Sequence, residues 1–450
     1  VGDDTVRGLQ SGASDETFGT SDAVDGGSGT DTLSLTMTED GAFNIPTVSN
    51  IEVVNIRNAV AQSAARTLDM DNFSGATSLI SDREISTVDY SNLATSTLVT
   101  VSDARATANS TFTYKAAGVV GTADSASVVF AGVADGAEID FAGDVETMNV
   151  AVTAAARLDN LVLDAGTTTV NLSGSADFTV DDVLTTTGLA TLNITSTGDV
   201  TLTPSLDAAT DTVSASTATG DITITAGNVA ANTDPSTVDV ADLTITTGSG
   251  ADVIDVIAVD AADEVSVSAG DGNDTVIIGD VIANSSAVLA GDVLDGGEGT
   301  DILSMDDATA ALTTVATNTV TNFEELTIND ALAANISAGL IGGIRTVNLA
   351  LGGAGTITLL AGANTVNVQA PLAGGALGVT DTGTATSDSV TIVNEDAAAD
   401  AFAGQAINST GFETVNIVTT GTGTATAQSF GAITVAADTG GTATVSFSGS

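Results

Sequence analysis

The chain has 450 residues, with 58 Asp and Glu against 8 Lys and Arg, a formal charge of −50, and no Cys, His or Trp. Such a surface repels polyanions, which argues against nucleic acid and anionic membrane as direct partners. The lack of Cys excludes disulfides and thiolate metal sites. Hydrophobic residues reach 43% while aromatics stay at 3%. This is not the composition of a disordered acidic tail, and its small and β-branched residues suit narrow, regularly stacked strands. No stretch approaches the roughly 18 apolar residues of a membrane-spanning helix, so membrane insertion is not expected.

From the first residue the pattern is one of repeats. Val1-Gly2-Asp3-Asp4-Thr5-Val6 reads as the tail of a glycine-aspartate motif, so further chain, with any targeting or anchoring segment, is expected upstream. Asp25-Gly26-Gly27-Ser28-Gly29-Thr30-Asp31 returns as Asp295-Gly296-Gly297-Glu298-Gly299-Thr300-Asp301, inside a duplicated segment. That segment also matches Asp4-Thr5-Val6 to Asp274-Thr275-Val276 and Asn50-Ile51-Glu52 to Asn322-Phe323-Glu324. The parts expected are calcium-binding β modules over 1–57 and 247–330, a β-rich unit with a short helix over 58–145, a β-solenoid over 146–246, and a second β-solenoid or β-rich unit over 331–450. The helical signals are Asn58 to Phe73 and Asp330 to Leu340, neither with a broad apolar stripe, and Asp234-Pro235-Ser236 reads as a loop. Six of the eight basic residues precede residue 116. They suit either contacts with an acidic patch on a neighbouring copy or ordinary local ion pairs.

A second repeat is the triplet apolar-Asn-apolar, at Asn55, Asn149, Asn171, Asn193, Asn348, Asn367 and Asn416. Asn149, Asn171 and Asn193 are 22 apart, and Asn348 and Asn367 are 19 apart. The triplet has the period of a half-buried strand, and its recurrence predicts one coil per repeat of a parallel β-solenoid. The Asn side chains either ladder along the stack or simply occupy the outward position. The fold class expected is all-β: parallel β-solenoid or β-roll-like coils with calcium-binding turns, in an elongated multidomain chain.

Five segments approach Gly-Gly-x-Gly-x-Asp-x-apolar. They end on Asp4, Asp31, Asp252, Asp274 and Asp301, and the apolar residue two places later is expected to point into the coil. Glycines permit a tight turn with inward carbonyls, and the Asp adds a hard anionic oxygen. This suits Ca²⁺, which takes roughly six to eight oxygens in irregular geometry. Asp25, Asp271 and Asp295 lie close enough to add oxygens, as does Glu298, with Asp22 and Asp292 a further tier. Asp252 and Asp274 are 22 apart, so their turns are expected to stack.

These motifs resemble the nonapeptide of the repeats-in-toxin (RTX) family of calcium-binding β-rolls. By that resemblance Asp4, Asp31, Asp252, Asp274 and Asp301 take the ligand role. Carbonyls of Gly27, Gly29, Gly248, Gly250, Gly270, Gly272, Gly297 and Gly299 complete the shell, and the cofactor is Ca²⁺. Family repeats run in tandem every nine residues, whereas here they are spaced by 22 or 27, which implies discrete sites between longer coils.

Without His or Cys, and with the lone Lys115 outside any motif, the chain offers no recognisable acid–base or nucleophilic constellation, so an enzyme is not expected. Its composition is similar to calcium-dependent bacterial surface-layer proteins of the Caulobacter type. That resemblance implies type I secretion, an extracellular location on the cell surface and self-assembly into a two-dimensional lattice. It also implies attachment to lipopolysaccharide through an upstream domain. The alternatives are an RTX adhesin or matrix filament, the non-catalytic carrier part of a secreted enzyme, and a salt-adapted archaeal layer.

Overall fold

Val, Leu, Ile and Thr at alternate positions make extended segments with one apolar and one hydroxyl-bearing face. In the computed structural model of the chain these segments are strands, each paired in parallel with its equivalent one coil later. The structure describes residues 2–11, 16–40, 45–61, 66–105, 109–185, 188–227, 243–256, 265–278, 292–305, 320–333, 335–341, 343–396, 400–419 and 428–449. They divide into two units, Val1–Gly227 and Asn228–Ser450, each a parallel β-solenoid.

In the first unit, strands Thr5–Gln10, Thr32–Met37, Val53–Asn58, Ser78–Asp82, Leu98–Ala104, Ser125–Ala142, Thr147–Val162, Thr169–Gly174 and Thr191–Ile194 pair in that order. One column of this sheet reads Val6, Leu33, Val54, Leu79, Val99, Val128, Val150, Leu172, Ile194, in unbroken register. All but Val6 are buried. Each coil thus contributes one aliphatic side chain to a continuous row, and burial of each is worth about 1.5–3 kcal/mol. The described residues of 66–142 continue the same stack. Their core is aromatic, with Tyr90, Phe112 and Phe141 stacked at centroid separations of 4.9 and 5.2 Å.

The second unit repeats the plan. The column Ile254, Val276, Leu303, Leu326, Val347, Val366, Ile392, Ile417, Phe447 runs through nine parallel strands, from Val253–Asp255 to Thr444–Gly449. A second sheet, Gly355–Leu359, Leu377–Asp381, Ile407–Gly411 and Ile433–Ala437, closes its later coils.

The Asn triplets fall on the expected strands, and the two readings of their side chains prove compatible. Asn149, Asn171 and Asn193 are half-buried on the outward side and also ladder. Asn171 Nδ2 donates to Asn149 Oδ1 at 2.9 Å, and Asn193 Nδ2 to Asn171 Oδ1 at 2.8 Å. Asn367 donates likewise to Asn348 at 2.7 Å. Asn55 pairs in register with Ser34 and Ile80 and so has no Asn beside it in register.

Among the described residues neither expected helix forms. Within Asn58–Phe73 the described residues make the strand Arg66–Asp69, in register with Val88–Ser91, and the single 3₁₀ turn Met70–Asn72 capped by Asp69. Leu68 is buried against the row that holds Tyr90, and that tertiary pairing outweighs the local Ala-rich propensity. In Asp330–Leu340, Leu332 and Ile336 are bridged to Gly353 and Ile357 of the next coil, leaving only the 3₁₀ turn Ala338–Leu340. Asp234-Pro235-Ser236 lies outside the described residues.

Candidate metal centre

The glycine-aspartate turns sit at one corner of the coils, directly before the aliphatic column. The residues two places after the motif aspartates, Leu33, Ile254, Val276 and Leu303, are all buried in the core as the motif requires. The aspartates are buried too. Asp31 and Asp252 are 1% exposed, and Asp274 and Asp301 are fully enclosed.

Three of these carboxylates, those of Asp31, Asp274 and Asp301, reach along the stack to the main chain of the preceding coil. Asp31 Oδ1 accepts the Asp4 N–H at 2.7 Å, Asp274 Oδ1 that of Asp252 at 2.8 Å, and Asp301 Oδ1 that of Asp274 at 2.8 Å. A glutamate takes the role in the following coil: Glu52 Oε2 accepts the Asp31 N–H at 2.7 Å and Glu324 Oε2 the Asp301 N–H at 2.9 Å. Without these acceptors the N–H groups of the enclosed Asp31, Asp252, Asp274 and Asp301 would lack a partner.

The turns stack as the spacing of 22 predicts, and the turn of Gly297 and Gly299 joins them. The Asp271 N–H donates to the Gly248 carbonyl at 2.8 Å, and the Glu298 N–H to the Gly270 carbonyl at 2.9 Å. Asp271-Gly272 pairs in parallel with Glu298-Gly299. A Cβ added at Gly272 would overlap the Gly250 carbonyl oxygen, and one at Gly299 the Gly272 oxygen. Gly272 and Gly299 also hold φ of 143° and 153°. Only glycine allows both the conformation and the approach. The first copy keeps this arrangement: a Cβ added at Gly29 would overlap the Gly2 carbonyl oxygen, and the Gly2 N–H donates to the Ser28 carbonyl at 3.2 Å.

The outer aspartates brace the turns. Asp25 Oδ1 accepts the Gly27 N–H at 3.1 Å and Asn50 Nδ2 at 2.7 Å, and Asp295 Oδ1 accepts Gly297 N–H at 3.2 Å and Asn322 Nδ2 at 2.7 Å. Asn50 and Asn322 both adopt left-handed backbone, with φ of 51° and 57°. These two asparagines lie in the sequence duplication, but only the structure brings them to the turn. Asp4 and Asp271 are exposed. The matched Asp22 and Asp292 have diverged. Asp22 is exposed and accepts the Gly19 N–H, whereas Asp292 is buried and accepts the Val265 N–H.

The second carboxylate oxygens test whether a cation fits. Oδ2 of Asp31 and of Asp301 is buried without a hydrogen-bond donor. A Cβ added at Gly26 would stand 2.8 Å from Asp31 Oδ2 and overlap the Asn50 carbonyl oxygen, so two oxygens border the same narrow space. Gly296 has the same relation to the Asn322 carbonyl and the Asp301 Cβ. Burial, and then the carboxylates of Glu324 and Asp295, push the Asp301 carboxyl above its ordinary range, against the bond from the Asp274 N–H. An acid so placed takes up a proton or a cation. With oxygen donors only, the residues fit a hard divalent ion of the calcium class.

Comparison of the chain with protein-family models, curated proteins and solved structures finds no match.

A second acidic corner, in the later coils of the second unit, has no glycine motif and was missed in the sequence. Asp381, Asp388 and Asp438 each bring one carboxylate oxygen within 4.8 Å of the others. The repeated triplet Asp-Thr-Gly, at Asp381 and again at Asp438, is the one signal that could have marked it.

Proposed function

We propose that the protein is a structural, non-catalytic component of a calcium-dependent layer on a bacterial cell surface, built by self-association of solenoid chains. The observation that carries the calcium part is the buried, donor-free Oδ2 of Asp31 and Asp301 beside stacked glycine turns. In this reading Asp31 and Asp301 hold the ion in the two copies, with the stacked turns of Gly248, Gly270 and Gly297 extending the second site. Carbonyl oxygens of the turns supply neutral ligands, and Ca²⁺ neutralises the carboxylate column. At a free concentration a hundredfold above Kd, each ion would stabilise the fold by about 2.7 kcal/mol. Folding would then follow calcium, low inside a cell and high outside.

The layer part rests on the likeness to RTX-type surface-layer sequences and on a repetitive scaffold with a charge of −50, which divalent cations allow to pack side by side. The test is negative-stain electron microscopy of the purified chain in EGTA and in millimolar Ca²⁺ at one ionic strength. Sheets or tubes with a regular repeat only in Ca²⁺ are expected. Single well-folded particles in both conditions would overturn the layer and favour an adhesin, a filament or a secretion carrier.

A further inference from the structure

The second acidic corner is assembled from three coils. Asp381 ends the strand Leu377–Asp381, Asp388 precedes the strand Ser389–Asn394 in the same coil, and Asp438 follows the strand Ile433–Ala437 two coils later. Between them lies Gly411, whose φ is 91°. A Cβ there would stand 2.8 Å from the Asp381 Cβ, so the missing side chain leaves the gap across which Asp381 and Asp438 approach each other. Glu413 completes the wall. Its Oε2 accepts the Asp388 N–H at 3.1 Å and its Oε1 the Asp438 N–H at 3.2 Å, so both oxygens are engaged by the main chain. Asp381 Oδ1 accepts the Gly383 N–H at 2.7 Å.

What remains is one buried oxygen on each aspartate. Asp381 is 8% exposed and Asp388 3%, and Oδ2 of Asp381, Asp388 and Asp438 is buried with no hydrogen-bond donor. Among the described residues no Lys or Arg forms an ion pair with any of the three. The single basic residue of 228–450, Arg345, donates instead to the Ala361 carbonyl at 2.7 Å. The contrast with the other acidic triad, Asp135, Asp159 and Asp181 in the first unit, is direct. There Arg157 Nε lies 2.5 Å from Asp181 and 3.7 Å from Asp135, and all these groups reach solvent.

We propose that Asp381, Asp388 and Asp438 form a binding site for a hard divalent cation, Ca²⁺ by chemistry, separate from the glycine turns. Oxygens bound to one such ion at about 2.4 Å lie at most about 4.8 Å apart, and the three oxygens here lie within that distance of one another. The donors are anionic oxygens alone, from buried and irregular positions. That favours calcium over magnesium, which demands near-octahedral order, and over softer metals, which seek nitrogen or sulfur. Burial, then the neighbouring Asp388 and Asp438 carboxylates, hold the Asp381 carboxyl above its ordinary range when no cation is bound. The competing occupant is therefore a shared proton.

The test counts ions on the full chain by equilibrium dialysis against radioactive calcium at fixed ionic strength. The wild type, Asp388→Asn, Asp438→Asn and, as comparator, Asp31→Asn are measured. The site predicts that Asp388→Asn and Asp438→Asn each lose one equivalent of Ca²⁺, and that a variant lacking both aspartates loses no more than one. An unchanged count in both single variants overturns it, while a loss in Asp31→Asn alone would leave only the glycine turns standing. Should the variants misfold, hydrogen exchange on the wild type decides. Amides of 381–389 and 433–441 are expected to slow at least tenfold on adding Ca²⁺. Exchange that responds to acid but not to Ca²⁺ assigns the corner to a proton and refutes the site.

Discussion

The two units share one architecture but balance their acid differently. The first holds seven of the chain's eight basic residues. There Arg157 bridges Asp135 and Asp181, Lys115 meets Asp71 at 2.7 Å and Arg83 meets Asp103 at 3.3 Å. Glu84, 1% exposed, is satisfied by hydroxyls, with Tyr90 Oη and Ser110 Oγ both donating to it, whereas the equally enclosed Asp31 keeps a donor-free Oδ2. The second unit has Arg345 alone, spent on a carbonyl, while Asp301, Asp381 and Asp388 keep buried oxygens without donors. A parallel solenoid can therefore carry enclosed carboxylates in two ways, by internal donors or by depending on an ion from outside. The first unit uses both, Glu84 by the first way and Asp31 by the second, while the second unit places three aspartates, Asp301, Asp381 and Asp388, on the second way.

Chelation offers the largest test. Removing Ca²⁺ with EGTA at constant ionic strength is expected to cost the second unit several kcal/mol, about 2.7 for each saturated site, and the first unit less. Calorimetry with hydrogen exchange reads the two separately, and equal losses would break the contrast. Next, Gly272→Ala forces a Cβ into the Gly250 carbonyl at a φ of 143°. About 4 kcal/mol of strain and displacement is expected in denaturant unfolding. Gly374→Ala, with φ of 85° and nothing within 4 Å of the new Cβ, should cost only about 1 kcal/mol.

Acidity sharpens the comparison from the other side. Burial pushes the Glu84 carboxyl up to about 7, against the hydroxyl bonds that favour its ionised form. The native state then keeps a proton that the unfolded chain releases near its ordinary carboxylate range. Stability of the first unit should accordingly fall as pH rises from about 4.5 to 7, by about 3 kcal/mol. Glu84→Gln should flatten that slope in melts with EGTA present. Cutting the ladder with Asn171→Ala removes bonds to Asn149 and Asn193 and should cost about 1 kcal/mol, the same with or without Ca²⁺. The smallest effect is Arg157→Gln. It lowers the melting point slightly in EGTA, and Ca²⁺ should restore it if an uncompensated triad is what creates cation dependence.

The coil register was legible because periodicity is local. Asn149, Asn171 and Asn193 mark equivalent strand positions, and Asp252 and Asp274 stack at the distance their spacing implies. The Asp31 and Asp301 corners were visible through their glycines. Asp381, Asp388 and Asp438 were not, because coils of unequal length bring together residues whose separations follow no period. Glu84 was equally hidden, since a lone Glu in a polar stretch looks solvated until Tyr90 and Ser110 close over it. The helical reading of Asn58–Phe73 failed for the complementary reason: parallel pairing of Arg66–Asp69 with the next coil is a long-range fact.

The direction of the buried corner bonds has a further consequence. From Asp4 to Asp31 and from Asp252 through Asp274 to Asp301, the amide of one coil always finds its acceptor in the coil that follows. A stack cut after any of these coils bares an orphaned donor at its later face. At this corner the same cut leaves a carboxylate, easily hydrated, on the earlier face of the piece beyond. The two faces of such a solenoid are chemically unequal, like the ends of a polar filament. At these corners the later face presents the donor, and the complement to it is a strand that carries an acid at the corner position.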